Sequence, residues 1–298
     1  MDNVGKNLTE IISWAGEATA KSPTTNEDFM DLFVAAMSRC LYLAKITTTL
    51  AAPEELKNGF PRNTAIVVGH IVRLCKLYEG FLYHTVNRQQ EMGMILFRLI
   101  FEAAVKTEYL IDNDTTEDSF KSFVITSYQS EKGILKDLIE KQNQRPLTPI
   151  ESRMLKTIRR NLKTDQLSEE TILQNKNWKL DGKSMRDLLT DLDKELGYVY
   201  LFSSSSHYIH GDWFDLKWYH LTKGDGDLYF PHLQYTNSDP RPAAAGSIIV
   251  LHTIQDFLKW RKTNVAVTVE LAISAMLDLI RKLDFDHENT LQSQNTAD

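Results

Sequence analysis

Apolar residues recur at intervals of three and four through nearly every long segment of this chain, and runs that alternate apolar with polar are scarce. An α-helix turns once in 3.6 residues, so this spacing lays an apolar stripe along each helix that has to be buried against another. The pattern predicts an all-α fold, a multi-helix bundle with helices over about 4–20, 26–50, 62–89, 91–112, 116–143, 148–163, 183–193, 196–210 and 243–284. Pro53, Pro61, Pro146 and Pro149 mark turns, Asn63 and Thr64 offer a cap, and Thr148 to Glu151 reads as a capping box. One stretch departs from the rule. LKWYHL and LYFPHLQY flank the turn-forming KGDGD, which predicts a small β-hairpin near residues 216–235.

With 298 residues, 42% of them hydrophobic, the chain can bury a full core. No flexible linker interrupts it. The expected organisation is a single helical domain over residues 1–288, in which an N-terminal helical hairpin (1–55) packs on a core (60–285), followed by a disordered tail (289–298). A net charge of -6 argues against a general nucleic-acid scaffold. The one compact basic cluster, KTIRRNLK at 156–163, reads as a solvated helix face, with a local basic groove as the alternative. Cys40 and Cys75 lie in apolar helical patterns and read as reduced core thiols. The N-terminus lacks the basic start and apolar run of a signal peptide, and Arg98 and Glu102 interrupt the most apolar stretch, 94–105. A cytoplasmic protein with no membrane partner is expected.

Two places carry residue types that an ordinary core helix would not. In YVYLFSSSSHYIHGD, the side chains of Tyr200, Ser203, Ser206 and His210 follow at spacings of three, three and four, which puts them on one face of a regular helix. Gly211 stops that helix, so His210 falls at its C-terminus, where the helix dipole favours the imidazolium and burial opposes it. In MILFRLIFEAAVKTEY, Arg98 and Glu102 stand four apart within an apolar stripe. They are either a buried structural pair or an anion-binding guanidinium oriented by a carboxylate. The serines 203–206 lack the glycines of a nucleophile elbow or a phosphate loop. His207, His210 and Asp212, with His220 and His232 behind them, form the alternative of a metal site, but no strict metal motif is present and no metal or cofactor is expected. Trp178, Trp213, Trp218, Tyr219 and Tyr229 read as packing, or as a platform on which a planar ligand stacks.

The segments RLIFEA at 98–103, NWKL at 177–180 and Y-x5-S-x3-H-G from Tyr200 to Gly211 occur together and in this order. In them the chain resembles the family of unknown function DUF5677, over about residues 70–255. That resemblance implies a mainly helical, mostly bacterial protein in which an Arg and a Glu on one helix face a Tyr, a Ser and a His on a later one. The S-x3-H helix also looks like that of HEPN-type ribonuclease toxins, which carry an Arg four to six residues before the His. Here those positions hold Ser206, Ser205 and Ser204, so the guanidinium would have to come from Arg98. The two likenesses together imply a metal-independent ribonuclease or phosphodiesterase of a bacterial defence or stress system. Arg98, Glu102, Tyr200, Ser206 and His210 would be catalytic, RNA the substrate, and a homodimer or partner protein would complete the cleft. In the competing class, a non-catalytic interaction or ligand-sensing protein, the same side chains form a structural network.

Overall fold

The computed structural model describes residues 2–50, 53–115, 117–262 and 267–295. It is all-α apart from one small hairpin, as the periodicity predicts. The helices are α1 (Asp2–Thr19), α2 (Asn26–Thr47), α3 (Pro53–Asn58), α4 (Arg62–Val86), α5 (Gln90–Asp112), α6 (Asp118–Thr126), α7 (Gln129–Gln144), α8 (Pro149–Thr164), α9 (Glu169–Gln174) and α10 (Met185–Asp191). They continue with α11 (Glu195–Gly197), α12 (Ser204–His210), α13 (Trp213–Asp215), α14 (Pro240–Arg261) and α15 (Val267–Asn295). The chain divides into two compact units, Met1–Ile111 with Leu189–Asp298, and Asp112–Leu188.

In the larger unit α2 packs on α4, α14 and α15, and α1 lies along α15. Phe29, Phe33 and Met37 of α2, Ile71 and Leu74 of α4, Ile100 of α5, Phe257 of α14 and Ile280 of α15 fill the centre and are almost fully buried. Burying side chains of this size is worth about 1.5–3 kcal/mol each. The buried Tyr78 hydroxyl meets Ser247 Oγ at 2.6 Å, which satisfies both polar atoms. Cys40 and Cys75 are free and buried, and burial pushes their thiols up to about 12 and about 11. No helix among the described residues is long and apolar enough to cross a membrane.

In the smaller unit α7 packs on α8 and α9 around Leu135, Leu138, Leu155, Ile158 and Leu162. The predicted capping box is present: Glu151 N donates to Thr148 Oγ1, and Thr148 N donates to Glu151 Oε2. The basic run 156–163 presents Lys156, Arg159, Arg160 and Lys163 to solvent, with Arg159 paired to Glu169, as a solvated helix face does.

Several boundaries differ from expectation. The long helix expected over 116–143 breaks at Ser127 and Tyr128, where Ser127 N–H is shared between the Phe123 and Val124 carbonyls and Ser127 Oγ also donates to Val124 O. The helix expected over 243–284 is two, α14 and α15, with Lys262 in the left-handed conformation at the end of α14 (φ 47°). Asn63 and Thr64 lie inside α4, whose cap position is Pro61. Of the residues expected in a tail, 289–295 belong to α15 and 296–298 lie outside the described residues.

Strands β1 (Leu221–Lys223) and β2 (Tyr229–Pro231) pair antiparallel, with Thr222 opposite Phe230. The hairpin is shorter than the predicted 216–235, because Leu216–His220 is a π-helical turn. Gly226 takes a positive φ of 62° in the connection, which is why the turn contains a glycine there.

Candidate functional site

Arg98 lies on the inner side of α5, its side chain 9% exposed. One Nη donates to Glu102 Oε2 at 3.2 Å, and Lys106 Nζ donates to Glu102 Oε1 at 2.6 Å. The guanidinium carbon stands 3.2 Å from the centre of the Phe202 ring, which stacks in turn on Tyr198 at 5.3 Å. Burial lowers the Arg98 pKa against the pull of Glu102, though a guanidinium stays protonated. For Glu102 burial acts upward, but the Lys106 and Arg98 contacts outweigh it and hold the carboxyl below its usual range. The result is a stack of Tyr198, Phe202, Arg98, Glu102 and Lys106 in which Arg98 is buried and the others are half-buried. Arg98 Nε is left buried without a partner.

The segment facing α5 is not a uniform helix. After α11 the chain widens into a π-helical turn, Tyr198–Ser203, before α12 resumes and ends at Gly211 in the left-handed region (φ 57°). Tyr198, Phe202 and Ser205 turn inward; Ser205 is fully buried and its hydroxyl donates to the Leu201 carbonyl. Tyr200, Ser203 and His210 are exposed, and half-buried Ser206 donates to the Phe202 carbonyl at 2.8 Å. Arg98 and Glu102 are thus brought together with each other but, among the described residues, no hydrogen bond or ion pair joins them to Tyr200, Ser206 or His210. Half-buried Phe202 and Tyr198 take the side toward Arg98, because their rings bury more apolar area than a row of serines can.

Beyond Gly211, Asp212 has two tasks. Its Oδ1 accepts from the backbone N–H groups of Phe214 and Asp215, capping α13, and its Oδ2 lies 2.5 Å from His207 Nδ1. The His207 contact and these caps hold the Asp212 carboxyl below its usual range. The His207 ring also leans on Phe214 at 4.8 Å. A carboxylate at Nδ1 fixes the imidazole tautomer and presents Nε2 for proton transfer. His210 stands on the next turn, exposed. Close to these two histidines in the chain, Trp213, Phe214 and Trp218 are 47% to 60% exposed, and Tyr200, earlier on the same segment, is 69% exposed, an unusual amount of aromatic surface. Lys217 Nζ lies 5.3 Å from the Trp218 ring centre, and Trp213 meets Tyr229 edge-on. Trp178 belongs to the smaller unit, where Lys132 Nζ lies 5.3 Å from its ring. Among the described residues no group of three His, Cys, Asp or Glu side chains is placed to hold a metal ion, so His207, His210 and Asp212 do not form one.

Two further clusters are not visible in the sequence patterns. Asp215, 5% exposed, has Oδ2 3.4 Å from His220 Nε2, and burial raises its pKa. It lines a cavity of about 280 Å³ with Tyr208 and Tyr219, whose hydroxyls meet at 2.6 Å, and with Glu91, which accepts from Thr236 N–H. The other cluster centres on Glu108 of α5, 7% exposed, which accepts from Lys194 Nζ at 2.5 Å and lies 3.3 Å from Thr253 Oγ1, whose hydroxyl is shared with the Ile249 carbonyl at 2.8 Å. Burial raises its pKa against the pull of Lys194. In the sequence Glu108 is one more polar position on an apolar helix, and its partners come from segments 86 and 145 residues away. No local pattern encodes such distances.

No curated protein and no solved structure matches the chain. The model of the family of unknown function DUF5677 matches residues 64–227, which is more than half of the 298 residues and includes α5, the Tyr198–His210 segment and β1. With Arg98, Glu102 and the Y-x5-S-x3-H-G segment all inside the matched region, the chain belongs to the DUF5677 family.

Proposed function

We propose that this protein is a metal-independent ribonuclease, or a related phosphodiesterase, of a bacterial defence or stress system, and that its proton-transfer groups are His207 and His210. The observation that carries the reading is the 2.5 Å pair between His207 Nδ1 and Asp212 Oδ2, one helical turn from an exposed His210. In this reaction His207 Nε2 takes the proton of a ribose 2'-hydroxyl. The 2'-oxygen then bonds to phosphorus, the bond from phosphorus to the 5'-oxygen breaks, and His210 as imidazolium protonates the leaving oxygen. The products are a 2',3'-cyclic phosphate and a free 5'-hydroxyl. The exposed Tyr200, Trp213 and Trp218 supply faces on which bases stack, and Lys217 a cation for the backbone. A second copy of the chain or a partner protein would cover part of this aromatic surface. Arg98 and Glu102 act as positioning residues here, holding Phe202 and through it α12, which departs from the HEPN pattern of an Arg beside the His.

The burial of Arg98 against Glu102 and Phe202 favours a second reading, a non-catalytic interaction or ligand-sensing protein in which the aromatic corner only docks a partner. Incubation of a mixed RNA pool with wild type, His207→Ala and His210→Ala, in EDTA and with Mg²⁺ or Mn²⁺, separates the two. The nuclease reading expects cleavage in EDTA that falls about 10²–10⁴-fold in each variant at an unchanged melting temperature. No cleavage by wild type under any of these conditions would overturn it in favour of the second.

A further inference from the structure

A cavity borders the Tyr198–Ser203 turn through Leu201 and includes none of the residues of the histidine corner. It measures about 530 Å³, within the range of small-molecule sites, and Phe101, Val105, Leu201 and Ile249 make its walls mainly apolar. Gly197 forms part of its rim, where a Cβ would meet Phe101 Cζ at 3.2 Å. Nothing in the proposed nuclease chemistry uses this space.

Its ionisable groups are mainly acidic. Glu108, Asp193, Glu195 and Asp256 line it with one ammonium, Lys194, and a second ammonium, Lys259, pairs with Asp256 at 3.1 Å. His252 also lines it and accepts from an Nη of Arg281 at 3.0 Å; burial and that guanidinium lower its pKa, so the positive charge on this side belongs to Arg281. Glu108 is the deepest of the four carboxylates, and its cation comes from the chain before α11 on a side chain that is 48% exposed. A flexible, half-solvated lysine is a cation that another cation can replace, because its release to water costs little and the carboxylate keeps a charged partner throughout.

We propose that this cavity binds a small organic cation with an apolar, aromatic-sized body and a primary ammonium group, which takes the place of Lys194 on Glu108. The apolar walls hold the body, Thr253 Oγ1 stays beside the second carboxylate oxygen, and the mainly acidic lining selects the charge. Neutral and anionic molecules of the same shape gain the apolar contacts alone, and an anion meets repulsion from Asp193 and Glu195.

The test is isothermal titration of the full chain with 1-naphthylmethylamine, and with 1-naphthalenemethanol and 1-naphthoate as neutral and anionic matches. The ammonium should bind saturably and at least about tenfold more tightly than the alcohol, the worth of one charge-assisted hydrogen bond, with naphthoate weakest. Glu108→Gln should abolish the preference for the ammonium. Lys194→Ala should tighten ammonium binding, since it removes the competing cation, whereas loss of a merely structural ion pair would weaken binding or leave it unchanged. If Glu108→Gln does not fold, Ile248→Trp, which fills the cavity from a half-buried wall position, should remove binding of the ammonium instead. Equal binding of alcohol and amine, a preference for naphthoate, or weaker ammonium binding by Lys194→Ala would each overturn the proposal.

Discussion

The Arg98–Glu102 pair is asymmetric, and removing its two members should have unequal costs. Arg98 is nearly buried, already has one unpartnered nitrogen, and depends on Glu102 for its only carboxylate contact among the described residues, whereas Glu102 is a third exposed and keeps Lys106 at 2.6 Å. Glu102→Ala strands the guanidinium. Breaking a buried pair by removing one partner costs about 3–5 kcal/mol, and the edge position of Glu102 brings this to about 2–3 kcal/mol. Arg98→Met instead removes the buried charge and its orphaned nitrogen together, leaves Glu102 with Lys106, and lays a thioether on Phe202. Replacing a buried ion by an apolar side chain of similar length is often neutral, so a change within about 1 kcal/mol is expected. In thermal unfolding followed by circular dichroism, Glu102→Ala should melt about 5 °C below wild type and Arg98→Met within about 2 °C of it. The double variant should resemble Arg98→Met, because no buried guanidinium remains to be stranded and Lys106, a third exposed, turns to water. Arg98→Met melting below Glu102→Ala would refute this account, and so would two costs that simply add.

Three other outcomes rest on particular residues. Deleting exposed Val199 removes one residue from a π-helical turn, converts it to α-helix and leaves both flanks in register, so the melting temperature should fall by only a few degrees; in a regular helix the same deletion would rotate Phe202 away from Arg98 and cost several kcal/mol. Lys262→Gly relieves a left-handed non-glycine residue at the end of α14 and should stabilise by about 0.5–1 kcal/mol in urea unfolding, whereas no gain would mean that the conformation is unstrained. The folded pKa of Glu108 is raised by burial, so its contribution to stability is complete below the ordinary carboxylate range and is lost as pH rises through the folded value. The melting temperature of wild type relative to Glu108→Gln should therefore increase from about pH 7 to about pH 4, and a difference that is flat or opposite in sign would contradict the burial.

How far the fold can be read from the sequence depends on whether each signal is local. α5 and α8 are fixed by stripes and caps within their own length, so Gln90–Asp112 and Pro149–Thr164 fall within a residue or so of expectation. The break between α14 and α15 carries no such mark: a lysine, with no cost visible in composition, adopts the conformation in which glycine is usual. The polar row is harder to place for a different reason. Tyr200, Ser203, Ser206 and His210 share a face only while the helix keeps 3.6 residues per turn, and the π-helical turn at Tyr198–Ser203 breaks that count at the start of the row. Apolar area then decides which side is buried, and Phe202 and Tyr198 take the face toward Arg98. The two histidines of the proposed chemistry differ accordingly. His210 stays exposed beside Gly211, where the stop signal places it, while the carboxylate-held base is its neighbour His207, three residues earlier and off the row. A motif specifies which residue types are needed, and the helix that carries it decides which of them face the reaction.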